Sequence, residues 1–242
     1  PGPRRRRGHD PRLRARRAPG AAALVRAAVP GFEAKGRARA VPLEGDAAAG
    51  LAGRVRRAAP AVGRDEGERG RLGHGADVTR LAVPTLVPSL QAVRIRSVAV
   101  GAEHTLALSQ AGGVYSFGCG GAGRLGHGDE EDVAAPKLIE ALRPMRICAV
   151  AAGGAHSIAL SDTGGVFTFG FGIYGQLGHG NGLRRHTPTR VAALQATRAI
   201  SISAGGGHSL VADVGGGVYS FGFGDHGRLG HGDRRSVNTP RL

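Results

Sequence analysis

The sequence predicts an all-β chain, a partial β-propeller of four-stranded antiparallel blades preceded by a disordered basic tail. Two linked motifs recur at a period of about 52 residues. Each copy holds about four short apolar or alternating segments, and none shows helical periodicity. The texture of the chain also changes near residue 70, dividing it into a tail, 1–70, and repeats, 71–242.

The tail is a mixture of Arg, Ala, Pro and Gly that opens with Arg4–Arg7. The whole chain carries a formal charge of +15, and residues 1–70 supply most of it, with 17 Lys+Arg against 7 Asp+Glu. Ordering this segment would cost on the order of 100 kcal/mol at about 1.5 kcal/mol per residue. Its ten Leu, Val and Phe side chains, fully buried, would return only roughly 15–30 kcal/mol. Entropy wins, and disorder is expected. Residues 1–30 have one acid, Asp10, and loosely resemble a transit peptide. The first residue is Pro1 rather than methionine, so a fragment or a processed chain is expected. Two cysteines, Cys119 and Cys148, make no disulfide framework and fit an intracellular compartment, cytoplasmic or nuclear. No apolar run is long enough to span a membrane as a helix.

In the second region LGHG occurs at Leu72–Gly75, Leu125–Gly128, Leu177–Gly180 and Leu229–Gly232. GAEHTLAL at Gly101 returns as GGAHSIAL at Gly153 and GGGHSLVA at Gly205. Each copy starts with an apolar run ending at Val98–Val100, Val150–Ala152 or Ile202–Ala204. A Gly-rich turn follows. Next comes an alternating strand, with His104, Leu106 and Leu108 on one face and Thr105 and Ala107 on the other. A turn at Gly112–Gly113 leads to a second alternating strand, Val114 to Phe117. Beyond LGHG a loop reaches a proline, at Pro84, Pro136, Pro188 or Pro240, and another apolar stretch. Four short strands in a repeat of this length are the anatomy of a propeller blade.

With GxxHTLAL, then GVYSFGxGxxG(R/Q)LGHG, then a proline, residues 71–242 resemble the repeats of the regulator-of-chromosome-condensation family. The resemblance implies a β-propeller, usually of seven blades. Kelch repeats carry a tryptophan that this chain lacks, and WD-type blades want Trp-Asp. There are three full repeats and a fragment, where closed propellers have about 4–8 blades. In the fragment Val62, Gly63 and Arg64 stand where later copies have Tyr115, Ser116 and Phe117, so the strand before Leu72 is expected to be absent or misformed. Part of a larger propeller is expected, and its exposed sheet edges predict self-association that closes the ring.

Gly118, Gly120 and Gly123 spell G-x-G-x-x-G, as do Gly170–Gly175 and Gly222–Gly227. A dinucleotide fingerprint needs a helix after its glycines and an acid about 20 residues on. No helical pattern follows any copy, so these glycines are read as places where blades turn and pack. His104, His127, His156, His179, His208 and His231 are read as structural repeat positions, because equivalent positions in successive blades are separated around a ring and do not converge on a metal. Cys119 stands where Phe171 and Phe223 stand, and Cys148 where Ile200 stands, so both are read as packing residues. With no G-x-S-x-G elbow, the expectation is no enzyme, no cofactor and no metal.

The loops after LGHG vary between copies: Asp129, Glu130, Glu131 and Asp132 form an acidic tip, and Arg184, Arg185, Arg234 and Arg235 form basic ones. Varied loops on a rigid scaffold are where binding specificity sits. The expected function is a non-catalytic protein-interaction scaffold, its loops binding a partner protein in a regulatory assembly. The resemblance implies an alternative, a guanine-nucleotide exchange factor for a Ran-like small GTPase with chromatin association through the basic tail. Residues 4–17 could hold nucleic acid by neutralising phosphates. The repeats themselves show no aromatic–basic stacking platform in sequence.

Overall fold

The computed structural model describes residues 68–242. The expectations for the tail, for Val62–Arg64 and for the basic stretch 4–17 lie outside the described residues.

Among the described residues twelve strands follow one another in three sets of four. The first blade is β1 (Ile95–Val100), β2 (His104–Ser109), β3 (Val114–Gly118) and β4 (Val133–Leu138). The second is β5 (Ile147–Ala152), β6 (His156–Ser161), β7 (Val166–Gly170) and β8 (Arg185–Arg190). The third is β9 (Ala199–Ala204), β10 (His208–Asp213), β11 (Val218–Gly222) and β12 (Val237–Arg241). Each set is an antiparallel sheet in chain order, and the described helical turns are short 3-10 pieces. The prolines expected after the loops lie inside the outermost strands, as Pro136 in β4, Pro188 in β8 and Pro240 in β12. An edge strand is where a residue without an N–H is tolerated.

The period-two pattern places side chains as expected; burial alternates at the start of β10 but not along β2 and β6. Every residue of β2 and of β6 is buried. The alternate faces of β6 meet two different sheets, Ala159 in the core with the first blade and Ile158 and Leu160 in the core with the third, while Thr105 on the other face of β2 meets Arg71 O. One core gathers Leu106, Leu108 and Val114 of the first blade against Ala159 and Phe169 of the second. The other sets Ile158, Leu160 and Val166 of the second blade against Val211 and Phe221 of the third. One repeat position reports the neighbour directly. Val114 and Val166 are 1% and 2% exposed, while Val218, with no further sheet beyond it, is 55% exposed.

The LGHG loops couple one blade to the next. A Cβ at Gly126 would run into the ring of Phe169 and the ring of Pro188, both in the following blade. Gly178 stands in the same relation to Phe221 and Pro240, and Gly73 to Phe117 and Pro136. These glycines have φ of +79°, +77° and +75°, in the left-handed region that glycine adopts without steric cost. The last glycine of each motif donates its N–H to the outer strand of the next blade: Gly75 to Ala134 O (3.0 Å), Gly128 to His186 O (3.0 Å) and Gly180 to Asn238 O (2.8 Å). So residues 70–75 meet the first blade as the loop of a preceding repeat would. In the third blade a Cβ at Gly230 or Gly232 would meet only open space.

Candidate protein-interaction face

The strand order puts the β1–β2 and β3–β4 connections of each blade at one end of its sheet, and the β2–β3 turns at the other. The first end therefore carries the Gly-rich turns, the G-x-G-x-x-G segments and the variable loops.

Here the three glycines of each fingerprint have separate mechanical reasons. Gly118 ends β3 at φ +109°, and a Cβ there would press on Glu103 O. At Gly120 a Cβ would fall on the carbonyl of Glu131, which the returning loop brings into contact. Gly123, at φ +77°, would strike the backbone of His186 in the next blade. Gly170, Gly172 and Gly175 repeat the arrangement against Ala155, Leu183 and Asn238. Close backbone approach fills the space in which a phosphate would sit.

Five of the six histidines form two kinds of relay. Ser157 donates its hydroxyl proton to Arg124 O (2.7 Å), so the 2.9 Å bond between its Oγ and His104 Nε2 must be donated by the imidazole. His156, Ser209 and Gln176 O repeat this across the next blade boundary, at 3.0 and 2.7 Å. Both rings are thus neutral with the proton on Nε2, and Nδ1 is buried without a partner. Burial pushes His104 down to about 3, with the Arg124 and His156 charges adding to it. Burial likewise pushes His156 down to about 4, with a lesser push from His208. The second relay lies within a blade. Ser116 Oγ donates to Leu125 O (2.7 Å) and accepts from His127 Nε2 (2.9 Å). Thr168 with His179 and Ser220 with His231 do the same. His208, at the position of His104, has no hydroxyl partner among the described residues, and burial followed by the Arg228 charge lowers its pKa. Among the described residues no group of three or more His, Cys, Asp or Glu side chains is placed to hold a metal ion, and no helix is long and apolar enough to cross a membrane.

The variable loops divide into shape-holding and outward-facing residues. Asp132 Oδ1 accepts the Gly120 N–H (2.8 Å), and Asp129 Oδ1 accepts the Glu131 N–H (3.1 Å). Glu130 crosses to the second blade, where one oxygen meets His186 Nε2 (3.0 Å) and Arg184 Nη1 (3.2 Å). The His186 hydrogen bond, then the Ala122 N–H and Arg184, hold the Glu130 carboxyl below its usual range. The acidic tip and the first basic tip therefore neutralise each other in part. Arg185 donates to Arg184 O (3.2 Å). Arg234 and Arg235 are exposed and make no ion pair among the described residues.

One feature of this face escaped the sequence reading. Phe171 and Tyr174 meet edge to face at 5.8 Å, and Tyr174 meets Phe223 of the next blade at 4.7 Å. The guanidinium of Arg184 lies 5.8 Å above Phe171 and that of Arg228 lies 4.8 Å above Phe223. The expected lack of an aromatic–basic platform is corrected here. Phe171 and Phe223 are one period apart, and blade packing, not sequence proximity, brings them to Tyr174. In the first blade Cys119 holds their position and is buried, with its Sγ 3.2 Å from Arg69 Nη1.

The sequence profile of the regulator of chromosome condensation (RCC1) repeat matches residues 63–108, 111–160, 163–212 and 215–242. The chain belongs to the RCC1 repeat family. Over 178 residues it is 42% identical to the E3 ubiquitin-protein ligase HERC2 of Mus musculus, covering 72% of this chain and 4% of that protein. It is 37% identical over 167 residues to the ultraviolet-B receptor UVR8 of Arabidopsis thaliana, covering 69% of this chain and 38% of the receptor. The chain thus spans well under half of these relatives. Among solved structures, human WBSCR16 superimposes with a TM-score of 0.64 at 26% identity, over 72% of this chain and 47% of that one. Prp20p of Saccharomyces cerevisiae, described with its binding properties to Gsp1p and histones, gives 0.62 at 25% identity, over 72% and 44%. The RCC1-type propeller expected from the sequence is therefore the observed fold, and the kinship supports an interaction or regulatory role.

Proposed function

We propose that this chain is a non-catalytic interaction module whose β1–β2 and β3–β4 loops bind a partner protein. One observation carries the reading. Where a blade is followed by another, the positions that recur between repeats are consumed by packing and by relays between and within blades, while the residues that differ project from one end of the sheets. A rigid scaffold that spends its repeated residues on itself and varies its loops presents a recognition surface. A photo-crosslinking amino acid at Glu131 or Arg234 is expected to capture protein partners, and one at Arg143 or Asp162 at the opposite end is not. Equal capture from both ends would overturn the reading.

The second reading is nucleotide exchange on a Ran-like small GTPase with chromatin contact through the tail. It is supported by the likeness to Prp20p and that protein's described binding to Gsp1p and histones, and by the arginines between residues 4 and 17. Release of a fluorescent guanine nucleotide from a Ran-like GTPase, accelerated by the full chain, would establish it. An unchanged release rate would remove it. Duplex DNA affinity that falls steeply with salt is expected of a phosphate-neutralising tail.

A further inference from the structure

We propose that Phe171, Tyr174, Phe223, Arg184 and Arg228 form a docking platform for a partner-protein segment that carries carboxylates beside a large apolar side chain. The proposal rests on the partner-binding reading of this face and names the chemistry of what binds there.

The repeats supply their own control. In the first blade Arg124 is paired with Glu103 at 2.9 Å, and its side chain is only 11% exposed. The third blade has Arg228 in place of Arg124, but Gly207 in place of Glu103. On a blade with no further sheet beyond it and with no carboxylate at position 207, Arg228 is exposed, donates Nε–H to the Asp225 carbonyl (2.8 Å), and lays its guanidinium over Phe223. It makes no ion pair among the described residues. The same holds for Arg234 and Arg235 on the adjoining loop, where Asp233 is occupied in accepting the Arg235 N–H (2.9 Å). A guanidinium held flat by an aromatic ring and lacking its own carboxylate is prepared for a bidentate one.

Beside these cations lies exposed apolar surface. Ile173 is 56% exposed, Leu183 62% and Tyr174 43%. Such a cluster, rimmed by arginine, has the composition of an interface centre. Nucleic acid fits it less well. Bases stack on open aromatic faces, whereas guanidinium groups lie over Phe171 and Phe223, Tyr174 packs against both of these rings, and the exposed neighbours Ile173 and Leu183 are aliphatic. A peptide that places an acidic group on Arg228 and an apolar side chain between Tyr174 and Leu183 uses every feature present.

The test selects peptides from a random display library on the full chain and measures the affinity of the enriched peptides by fluorescence anisotropy. Enrichment of Asp or Glu near Phe, Leu or Ile is expected. Arg228→Glu and Tyr174→Ser should each weaken binding by about tenfold or more, and Arg228→Lys by less. Arg143→Glu, at the other end of the blades, should leave it unchanged. Both platform residues are exposed, so these variants keep the fold, which circular dichroism checks. Peptides that bind this face, with loss on Arg234→Glu, but are indifferent to Arg228→Glu and Tyr174→Ser would overturn the platform and leave the interaction reading standing. No enrichment, or loss only with Arg143→Glu, would overturn both. Tighter binding of oligouridylate through the same residues would assign the platform to nucleic acid and overturn the proposal.

Discussion

His104 of one blade donates a 2.9 Å hydrogen bond to Ser157 of the next, and Ser157 passes its own proton to Arg124 O of the first. This relay is fully buried, so the polar atoms it joins have no access to replacement water.

Replacing Ser157 with Ala should strand both the imidazole N–H and the Arg124 carbonyl. A loss of about 1–3 kcal/mol is expected in urea unfolding. Thr105 holds the equivalent position in the first blade and donates to Arg71 O (3.2 Å), so Ser157→Thr should cost clearly less. Equal effects of Ala and Thr would mean that the hydroxyl is not the operative group.

Stability should fall in mild acid. His104 and His156 titrate at about 3 and about 4 in the folded chain, against an ordinary histidine value of about 6.5 in the unfolded one. Between these values the unfolded state binds more protons. The contribution is therefore fully present above about 6.5 and is lost as pH falls toward 4. Denaturant midpoints should be flat from pH 8 to 7 and decline between about 6.5 and 5, before most carboxylates protonate. A midpoint constant across that interval would show that these rings do not stay neutral.

Gly178 and Gly230 share φ +77°, but only Gly178 has Phe221 and Pro240 against it. Gly230→Ala should cost about 1–2 kcal/mol for left-handed backbone alone. Gly178→Ala should cost about 1–3 kcal/mol more, because the ring behind it must move. Equal losses in thermal or chemical unfolding would deny the interblade socket.

Apolar rows remain open at both outer sheets, with Val98 and Val100 47% and 53% exposed and Val218 55%. Near Val218 they line an open hollow with Leu210, Leu229 and Gly230. The full chain should gain mass with concentration in light scattering, and Val218→Lys should reduce that association. No concentration dependence would mean that these rows stay solvated.

How much of this was legible depended on whether a feature belongs to one repeat or to the joint between two. The period, the strands and the histidine positions are written into each copy, and alternation at His104, Leu106 and Leu108 was enough to orient a strand. The double burial of β6 was not readable, because the residues covering its two faces come from two neighbouring sheets. Ser157 carries no signal in the sequence, since a serine after a histidine has no meaning until the neighbouring blade is in place. The Phe171–Tyr174–Phe223 cluster was invisible for the same reason, and so was the meeting of Glu130 with Arg184. Cys119, occupying the first copy of the phenylalanine position, weakened the one periodic signal that could have exposed the cluster.

The sockets at Gly73, Gly126 and Gly178 each accept the phenylalanine and proline of the blade that follows, never of the one before. The joint is consequently heterologous: it has a donor side and an acceptor side, and every copy points the same way around the array. A unit of about 52 residues carries one half of the joint on each flank. Duplicating or deleting a whole unit would therefore restore the glycine–phenylalanine–proline joint, while contacts particular to one pair of blades, such as Glu130 with Arg184, would not return.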